Sequence, residues 1–317
     1  MARIGSSELD VFPLAFGGNV FGWTADEKES FELLDAYTAA GGNFIDTADA
    51  YSAWVPGNSG GESEAILGRW FAARGASMRD RVVLATKVGQ HPDFRGLKAD
   101  TIKGAVKQSL RRLRTDHIDL YYTHRDDPDT PVEEFLGALD HLVKEGKVRE
   151  IGASNISAER LAEALAASER EGLAKYVALQ QLYNLVERDQ YEGPLAEVVA
   201  SHGLSSVPYY ALAAGFLTGK YRPGAQVDSA RAGSAGKYLD SARGQRVLTA
   251  LDEVAQARHA EVATVALAWL AAQPTVAAPI ASARTLDQLP ALLAVAELTL
   301  STDELAKLTA ASAPDQA

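Results

Sequence analysis

Short apolar runs alternate with amphipathic stretches along the whole chain, and this alternation restricts the possible folds more than any other feature. The predicted strands cover residues 11–16, 43–46, 82–86, 118–122, 148–152, 177–181, 204–209 and 276–280. Strands separated by helices pair in parallel through right-handed crossovers. Eight such units within 317 residues favour a closed (β/α)8 barrel, with a doubly wound open sheet as the competing fold.

The helices between these strands are marked by capping residues and glycines. Asp26 precedes a predicted helix over 27–40 that ends at two glycines, and Ser157 and Ser301 precede later helices. The other predicted helices cover residues 63–74, 101–113, 132–144, 158–171, 195–201, 247–257, 262–272, 286–293 and 301–310. Residues 221–244 are rich in Gly, Ala and Ser with weak periodicity, so we interpret them as a long functional loop.

No linker interrupts the pattern, so residues 1–317 are predicted to form one domain. Its class is α/β: a single TIM barrel with a short N-terminal β segment and extra C-terminal helices. The first predicted strand is not followed by a G-x-G-x-x-G motif, because the glycines within residues 17–22 have the wrong spacing. A Rossmann-type dinucleotide site therefore has no support.

Composition excludes several functional classes. The net charge of −11 argues against nucleic acid or an anionic membrane as the main partner. The absence of cysteine excludes disulfides, thiolate nucleophiles and cysteine-ligated metals. The first ten residues do not read as a signal peptide, and the apolar segment 262–272 is too short to span a bilayer. We therefore expect a cytoplasmic protein.

Polar residues stand at the carboxyl ends of the predicted strands, where the active sites of (β/α)8 barrels lie. They are Asp46 with Tyr51 just downstream, Lys87, His124, Ser154, Asn155, Gln180, Tyr209, Ser282 and Arg284. Each one alone has a structural explanation: Asp46 as a loop cap, Lys87 as a solvated charge. His124 is equally explained as a core histidine and Tyr51 as a surface aromatic. Their joint occurrence at one rim predicts an active site.

This set of side chains suits proton transfer to a substrate oxygen. A tyrosine hydroxyl has an ordinary pKa of about 10, and a nearby ammonium group lowers it by favouring the phenolate. A buried Lys87 needs a partner to stay charged, which Asp46 supplies. The Asp46–Lys87–Tyr51 chain is then a general acid, and His124 positions the substrate oxygen. Hydride has to come from a cofactor.

Six segments of the chain, in order, carry motifs of one known family. They are residues 42–51 (GNFIDTADAY), 63–68 (SEAILG), 84–89 (LATKVG), 109–124 (SLRRL, then DHIDLYYTH), 146–155 (GKVREIGASN) and 217–221 (LTGKY). With them the chain resembles the aldo-keto reductases over about residues 11–293. The similarity is to the branch that includes aryl-alcohol-dehydrogenase-like reductases and potassium-channel β-subunits.

The resemblance implies a catalytic tetrad of Asp46, Tyr51, Lys87 and His124 that reduces a small-molecule aldehyde or ketone, with Tyr51 as the proton donor. It also implies a bound NADPH. The implied cofactor contacts are Gly18 and Asn19 near the nicotinamide ribose, Ser154, Asn155 and Gln180 at the carboxamide, and Tyr209 on the nicotinamide ring. Further contacts are Tyr210, Ala211 and Leu212 along the pyrophosphate, Lys220 at a phosphate, and Ser282, Arg284 and Gln288 around the 2′-phosphate and adenine. Asp46 is implied to contact the cofactor as well. Arg284 suits a 2′-phosphate, so NADPH is favoured over NADH.

Some positions depart from the family pattern. Ser282 stands where the family usually has glycine. Ala291 and Leu292, after Pro290, stand where a Glu-Asn pair often meets the adenine. Adenine recognition is therefore expected to be looser in this chain.

The predicted substrate pocket contains Trp23, Trp54 and Arg125. The two tryptophans wall an aromatic or apolar pocket or, alternatively, pack the barrel rim. Arg125 meets a polar or acidic substrate or, alternatively, pairs with Asp126 or Asp127. The glycine-containing segment 52–61 is expected to shape specificity.

Two rival functions remain at this point. One is a nucleotide-sensing regulatory subunit in which turnover is incidental, although the intact tetrad favours turnover. The other is a metal-dependent barrel hydrolase, for which only Asp46 and His124 qualify as ligands, and Lys87 between them repels a cation. We therefore predict no metal site. The sequence leaves open the physiological carbonyl, the direction of the reaction and the choice between monomer and homo-oligomer.

Overall fold

The centre of the molecule is an eight-stranded parallel sheet that closes into a barrel. The computed structural model describes residues 1–222, 224, 227 and 232–314. Strands β1 to β8 are Ala15–Gly17, Phe44–Asp46, Val83–Val88, Ile118–Thr123, Val148–Ser154, Tyr176–Gln180, Ser205–Ser206 and Ile280–Ala281. Each strand from β1 to β6 pairs with the next, and β8 pairs with β1. The chain just before β8 closes the ring, because Ser206 N donates to Thr275 O at 2.7 Å and Ala277 N donates to Ser206 O at 2.9 Å. The predicted (β/α)8 barrel is confirmed.

Helices surround the barrel. Helices α1 to α12 are Glu27–Ala39, Glu62–Arg74, Ala76–Arg81, Ala99–Leu113, Val132–Lys144, Ala158–Glu171, Pro194–Ser201, Ala232–Leu239, Ala242–Arg258, Val262–Ala271, Leu289–Leu293 and Thr302–Ala311. Short 3₁₀ helices cover Gly18–Val20, Ala213–Thr218, Leu286–Gln288 and Ala294–Ala296. Within the described part of the chain, no helix is long and apolar enough to cross a membrane.

The predicted helix caps are confirmed in atomic detail. The Asp26 carboxylate accepts from Glu29 N at 2.8 Å, and the Glu29 carboxylate accepts from Asp26 N at 2.9 Å, so α1 begins with a capping box. Ser301 and Glu304 form the same reciprocal pair at the start of α12. Ser157 caps α6. Each cap satisfies backbone N–H groups that would otherwise lack partners.

The barrel interior is apolar and is closed at its amino-terminal end by a small hairpin. This hairpin pairs Ala2–Arg3 with Asp10–Val11 and is the predicted N-terminal β segment. Its buried side chains join the cluster that fills the barrel. Gly5 lies in the turn with φ of +51°, and a Cβ there would stand 2.3 Å from the carbonyl oxygen of Val177, so only glycine fits. The carboxyl ends of the strands are thus the open face of the barrel.

Several predicted elements differ from the structure. Residues 232–239 form α8 and α9 begins at Ala242, so the prediction of a loop over 221–244 is wrong for these residues. Residues 223, 225–226 and 228–231 of that loop lie outside the described residues. α8 is fixed by tertiary contacts rather than by its own periodicity, because the Tyr238 hydroxyl donates to Glu187 at 2.6 Å and its ring packs on Phe216.

The strand boundaries were also imperfect. The predicted strand 11–16 divides at Pro13, which has no N–H to give to a sheet, so Val11 joins the hairpin and β1 begins at Ala15. The predicted strand 204–209 is reduced to Ser205–Ser206. α3 and a second hairpin, Gln90–His91 with Phe94–Arg95, were not predicted.

Candidate active site

A buried lysine connects two acidic groups at the open end of the barrel. Lys87, in β3, is 1% exposed and its ammonium group donates to Asp46 Oδ2 at 2.7 Å, to the Tyr51 hydroxyl at 2.9 Å and to the carbonyl of Thr47 at 2.7 Å. The other oxygen of Asp46, at the end of β2, accepts from Gln180 Nε2 at 2.8 Å. All three N–H bonds of the ammonium group are therefore directed by acceptors in fixed positions.

Burial and charge act against each other at this lysine. Burial lowers the pKa of Lys87, while the carboxylate of Asp46 raises it. The ammonium group stands beside the phenol oxygen of Tyr51, where positive charge stabilises a phenolate. The Asp46–Lys87–Tyr51 chain predicted from the sequence is thus present as a hydrogen-bonded unit.

His124 completes this group of side chains immediately after β4. Its ring stands edge-on to that of Tyr51, with centroids 6.0 Å apart and planes at 77°. Burial, with the positive charges of Lys87 and Arg125, lowers the pKa of His124 to about 3. The imidazole is therefore neutral near pH 7 and has one N–H to donate.

The residues expected at a carboxamide form a second network beside His124. Asn155 adopts a left-handed conformation (φ 50°), which asparagine tolerates better than most residues. Its side-chain N–H₂ group donates to the carbonyl of His124 at 2.9 Å and to Ser154 Oγ at 3.0 Å. The Tyr209 hydroxyl donates to Asn155 Oδ1 at 2.8 Å. The ends of β4, β5 and β7 are therefore tied together.

The segment after Tyr209 has an unusual backbone. Tyr210, Ala213 and Ala214 all have φ between 47° and 63°, a region that costs non-glycine residues about 1–2 kcal/mol each. Asn184 Nδ2 donates to the carbonyl of Tyr210 at 2.9 Å and helps to hold this shape. We call residues 210–215 the left-handed segment.

A cavity of about 520 Å³ lies over these groups. Most of the residues predicted for the site line it: Asn19, Trp23, Asp46, Tyr51, His124, Arg125, Ser154, Asn155, Gln180, Tyr209, Tyr210, Ala211, Leu212, Lys220, Ser282, Arg284 and Gln288. This volume and the many lining residues fit a small-molecule ligand.

Three of the predicted residues, Gly18, Trp54 and Lys87, do not line the cavity. Lys87 reaches the site only through its hydrogen bonds, one of them to the Tyr51 hydroxyl. Gly17 lines the wall in place of Gly18, whose carbonyl faces Ser63 and accepts its hydroxyl at 2.8 Å. Trp54 stands outside, 51% exposed, with its ring edge-on to Trp23 and Tyr51.

The side chains of Ser282 and Gln288, at the end of the cavity near β8, form hydrogen bonds within the protein. Ser282 Oγ donates to Asn19 Oδ1 at 2.6 Å, and Gln288 Oε1 accepts from the backbone N–H of Arg284 at 2.9 Å. The serine hydroxyl stands 2.5 Å from where a Cβ at Gly17 would lie, so Gly17 makes room for it.

Glu261 lies in the cavity wall although the sequence did not predict it as a site residue. It precedes α10 and lines the cavity, and no partner for its carboxylate is found among the described residues. The start of α10 is held near Ala291 because Thr264 Oγ1 donates to the carbonyl of Ala291 at 2.6 Å. No local sequence signal marks Glu261, since only the fold brings α10 to this wall.

A second group of buried acids lies beneath the site. Glu64 accepts from Thr86 Oγ1 at 2.6 Å and from Arg112 Nε at 2.7 Å. Asp49 is fully buried, and neither of its carboxyl oxygens has a partner among the residues described. Burial and the nearby Glu64 raise the pKa of Asp49 well above its ordinary value. The fold therefore disfavours the charged form of Asp49.

A (β/α)8 barrel with this buried hydrogen-bonded chain beneath a cavity is typical of an oxidoreductase that acts on carbonyl and alcohol groups. The model of the aldo/keto reductase family matches residues 13–313, and the chain belongs to that family. Enzymes of this family generally use nicotinamide cofactors and small-molecule substrates. Across the described residues, no group of three or more His, Asp or Glu side chains is arranged to hold a metal ion.

Named relatives extend over nearly the same length. The chain is 35% identical to the uncharacterized oxidoreductase YrpG of Bacillus subtilis, over 96% of this chain and 93% of the relative. It is 32% identical to a probable voltage-gated potassium channel subunit beta of Arabidopsis thaliana, over 89% and 86% of the two chains. It is also 33% identical to norsolorinic acid reductase of Emericella nidulans, over 94% and 77%.

Proposed function

We propose that the protein reduces an aldehyde or ketone to an alcohol with NADPH, and that Tyr51 donates the proton. The observation that carries the proposal is the ammonium group of Lys87, 2.9 Å from the Tyr51 hydroxyl and 2.7 Å from Asp46. Loss of a proton from Tyr51 creates a phenolate next to this cation, which makes the phenol a stronger acid than in water.

The residues around Tyr51 act on the carbonyl oxygen of the substrate. The Tyr51 hydroxyl and the N–H of the neutral His124 ring both donate hydrogen bonds to this oxygen and fix its position. As negative charge develops on the oxygen, the Tyr51 proton moves to it, and Lys87 stabilises the phenolate that remains. The bound cofactor supplies the hydride.

The residues that line the cavity support NADPH as the cofactor. Its wall near the tetrad carries the amide and hydroxyl groups of Ser154, Asn155 and Gln180, which suit a carboxamide, although Asn155 and Gln180 are also tied to their neighbours. Farther along, Lys220 and Arg284 add positive charge for phosphates. The guanidinium of Arg284 has no ion-pair partner among the described residues, which supports NADPH over NADH.

A regulatory subunit that senses nucleotide is the second candidate, since one relative is named as a probable potassium channel subunit. The complete Asp46–Lys87–Tyr51 chain favours turnover. The two functions are separated by titrating the protein with NADPH and with NADH by fluorescence and then following absorbance at 340 nm with a panel of carbonyl compounds. Tight binding without turnover of any carbonyl favours the sensing role.

The test of the proton donor is Tyr51→Phe. We expect kcat to fall by about 10²–10⁴-fold, because the general acid is lost, while the Kd for NADPH changes little. Tyr121→Phe is the matched control: it removes a buried hydroxyl that has no partner among the residues described and does not line the cavity. Near-normal turnover in Tyr51→Phe would contradict the mechanism.

A further inference from the structure

Arg125 is an exposed cation in the wall of the active-site cavity. Its neighbour Asp126 is not its partner, because Asp126 Oδ1 accepts from Arg160 Nε at 3.2 Å. Arg160 also donates to backbone carbonyls of the loop that follows, which fixes this pair in place. The carboxylate of Asp126, directly after Arg125, is therefore paired with a residue of α6.

The second neighbouring acid is also engaged elsewhere. Asp127 Oδ2 accepts from the backbone N–H of Leu97 at 2.8 Å and from Thr130 Oγ1 at 2.7 Å. These bonds lower the pKa of Asp127 and hold its carboxylate within its own loop. No ion pair or side-chain hydrogen bond of Arg125 is found in the part of the chain that the structure describes. Its guanidinium is thus available to a molecule in the cavity.

The position of Arg125 shows which part of that molecule it meets. Its positive charge acts on His124, where it helps to lower the pKa, and on Tyr209, where it opposes the rise that burial causes. Both rings belong to the end of the cavity that holds the tetrad. The cations that suit cofactor phosphates, Lys220 and Arg284, lie elsewhere in the wall. Arg125 is therefore placed to meet the substrate rather than a cofactor phosphate.

Two tryptophans stand beside the same end. Trp23 lines the cavity, and Trp54 lies edge-on to it at 5.6 Å between ring centroids. Trp54 also contacts the Tyr51 ring at 6.2 Å and is 51% exposed. A large aromatic side chain left exposed next to a binding site offers apolar surface to a ligand. Together these rings form an aromatic patch next to the proton donor, with Trp23 in the cavity wall and Trp54 just outside it.

We propose that the substrate is an aromatic aldehyde or ketone that carries an anionic substituent, with Arg125 binding the anion and Trp23 and Trp54 flanking the ring. The inference rests on the proposed carbonyl reduction. A planar guanidinium binds a carboxylate through two parallel hydrogen bonds, so a carboxylate is a simple anionic substituent that fits it. Among the described residues, the cavity wall contains no arginine or lysine besides Arg125, Lys220 and Arg284, so no second cation adjoins Arg125 for a larger anionic group.

The test compares two substrates of nearly equal size, 4-carboxybenzaldehyde and its methyl ester. Arg125→Gln should lower kcat/KM for the acid by about 10-fold, mainly through KM, because a hydrogen bond to a charged group is lost. The same substitution should change kcat/KM for the ester by less than about two-fold, and the Kd for NADPH should stay unchanged. Arg125→Lys should recover part of the loss for the acid, since it keeps the charge.

Lys107→Gln is the charge-matched control. Lys107 is exposed on α4, outside the active-site cavity, so its replacement changes the net charge equally without touching the site. It should leave both substrates unaffected. An equal loss for acid and ester in Arg125→Gln would show that Arg125 shapes the site and would overturn the anionic half of the proposal, as would no loss for either.

The aromatic half is tested with 4-formylcyclohexanecarboxylate, which keeps the charge and the span of the molecule but not the flat ring. Reduction as efficient as that of 4-carboxybenzaldehyde would overturn it. A binding measurement keeps the proposal testable without turnover: 4-carboxybenzaldehyde should quench the tryptophan fluorescence of the protein loaded with NADP⁺, and Arg125→Gln should weaken this binding about 10-fold. Absence of quenching overturns the substrate assignment, whereas quenching without turnover contradicts only the proposed reductase function.

Discussion

Replacement of Lys87 with methionine removes the cation from the buried chain while keeping a side chain of similar length. Asp46 then keeps the amide of Gln180 but loses its charged partner, and Tyr51 loses the ammonium group at 2.9 Å. We expect this change to weaken Tyr51 as a proton donor far more than it weakens cofactor binding, because Lys87 does not line the cavity.

The size of the effect follows from Coulomb's law. Two unit charges 2.9 Å apart interact by about 6 kcal/mol at an effective dielectric constant of about 20. Loss of that attraction disfavours the phenolate by about four powers of ten. If about half of this change is expressed in the transition state, kcat falls by about 10²-fold. In Lys87→Met the Asp46 carboxylate, whose Oδ2 lies 3.4 Å from the phenol oxygen, no longer has a cation to offset its repulsion of a phenolate.

The assay is kcat for carbonyl reduction at 340 nm between pH 5 and 9, with the Kd for NADPH measured in parallel by fluorescence. Breaking a buried ion pair costs about 3–5 kcal/mol of stability, so the fold is checked by thermal unfolding. Lys107→Met is the matched control for the same substitution at an exposed position. If Lys87→Met remains folded and keeps kcat within about three-fold of the wild type, the assigned role of the ammonium group is refuted.

Two further predictions concern carboxylates without partners among the described residues. The pKa of Asp49 is higher in the folded protein than in the unfolded chain, because burial favours the neutral carboxyl group. Its contribution to stability is therefore complete below the unfolded pKa of about 3.9. That contribution is lost, at about 1.4 kcal/mol per pH unit, as the pH rises from there towards the pKa of the folded state. Asp49→Asn should therefore gain stability relative to wild type from pH 4 upward in thermal unfolding, and a difference that does not change with pH would contradict this. Glu261, which lines the cavity near Ala291, should accept a hydrogen bond from the adenine amino group. Wild type should then bind NADPH about 10-fold tighter than its hypoxanthine analogue, and Glu261→Gln should lose this preference in fluorescence titrations; equal discrimination by both proteins would refute the contact.

Much of the fold and the centre of the site could be predicted because the relevant signals are local. The strand–helix alternation favours the barrel, and in a barrel the carboxyl ends of all the strands lie at one rim. Asp46, Lys87 and His124 could be placed together for this reason alone. The caps at Asp26 and Ser301 are equally local, since each requires only a side chain three residues away.

The remaining features depend on contacts that a single sequence does not display. α8 contains two glycines and owes its shape to the contact between Tyr238 and Glu187, 51 residues apart. Glu261 enters the cavity only because α10 packs against the chain at Ala291. The exchange of Gly18 for Gly17 in the wall has a geometric cause: β1 ends at Gly17 and a 3₁₀ turn begins at Gly18, which turns the next carbonyl towards Ser63.

The left-handed segment has a thermodynamic consequence for ligand binding. Alanine at positions 213 and 214 has few backbone conformations available in the folded chain, whereas glycine there would remove the strain and allow many more. The strained backbone is already formed in the folded protein, so the cavity wall has its shape before a ligand binds. A molecule that enters the cavity does not have to freeze these torsions, so the entropy lost on binding is smaller than a flexible glycine loop would impose.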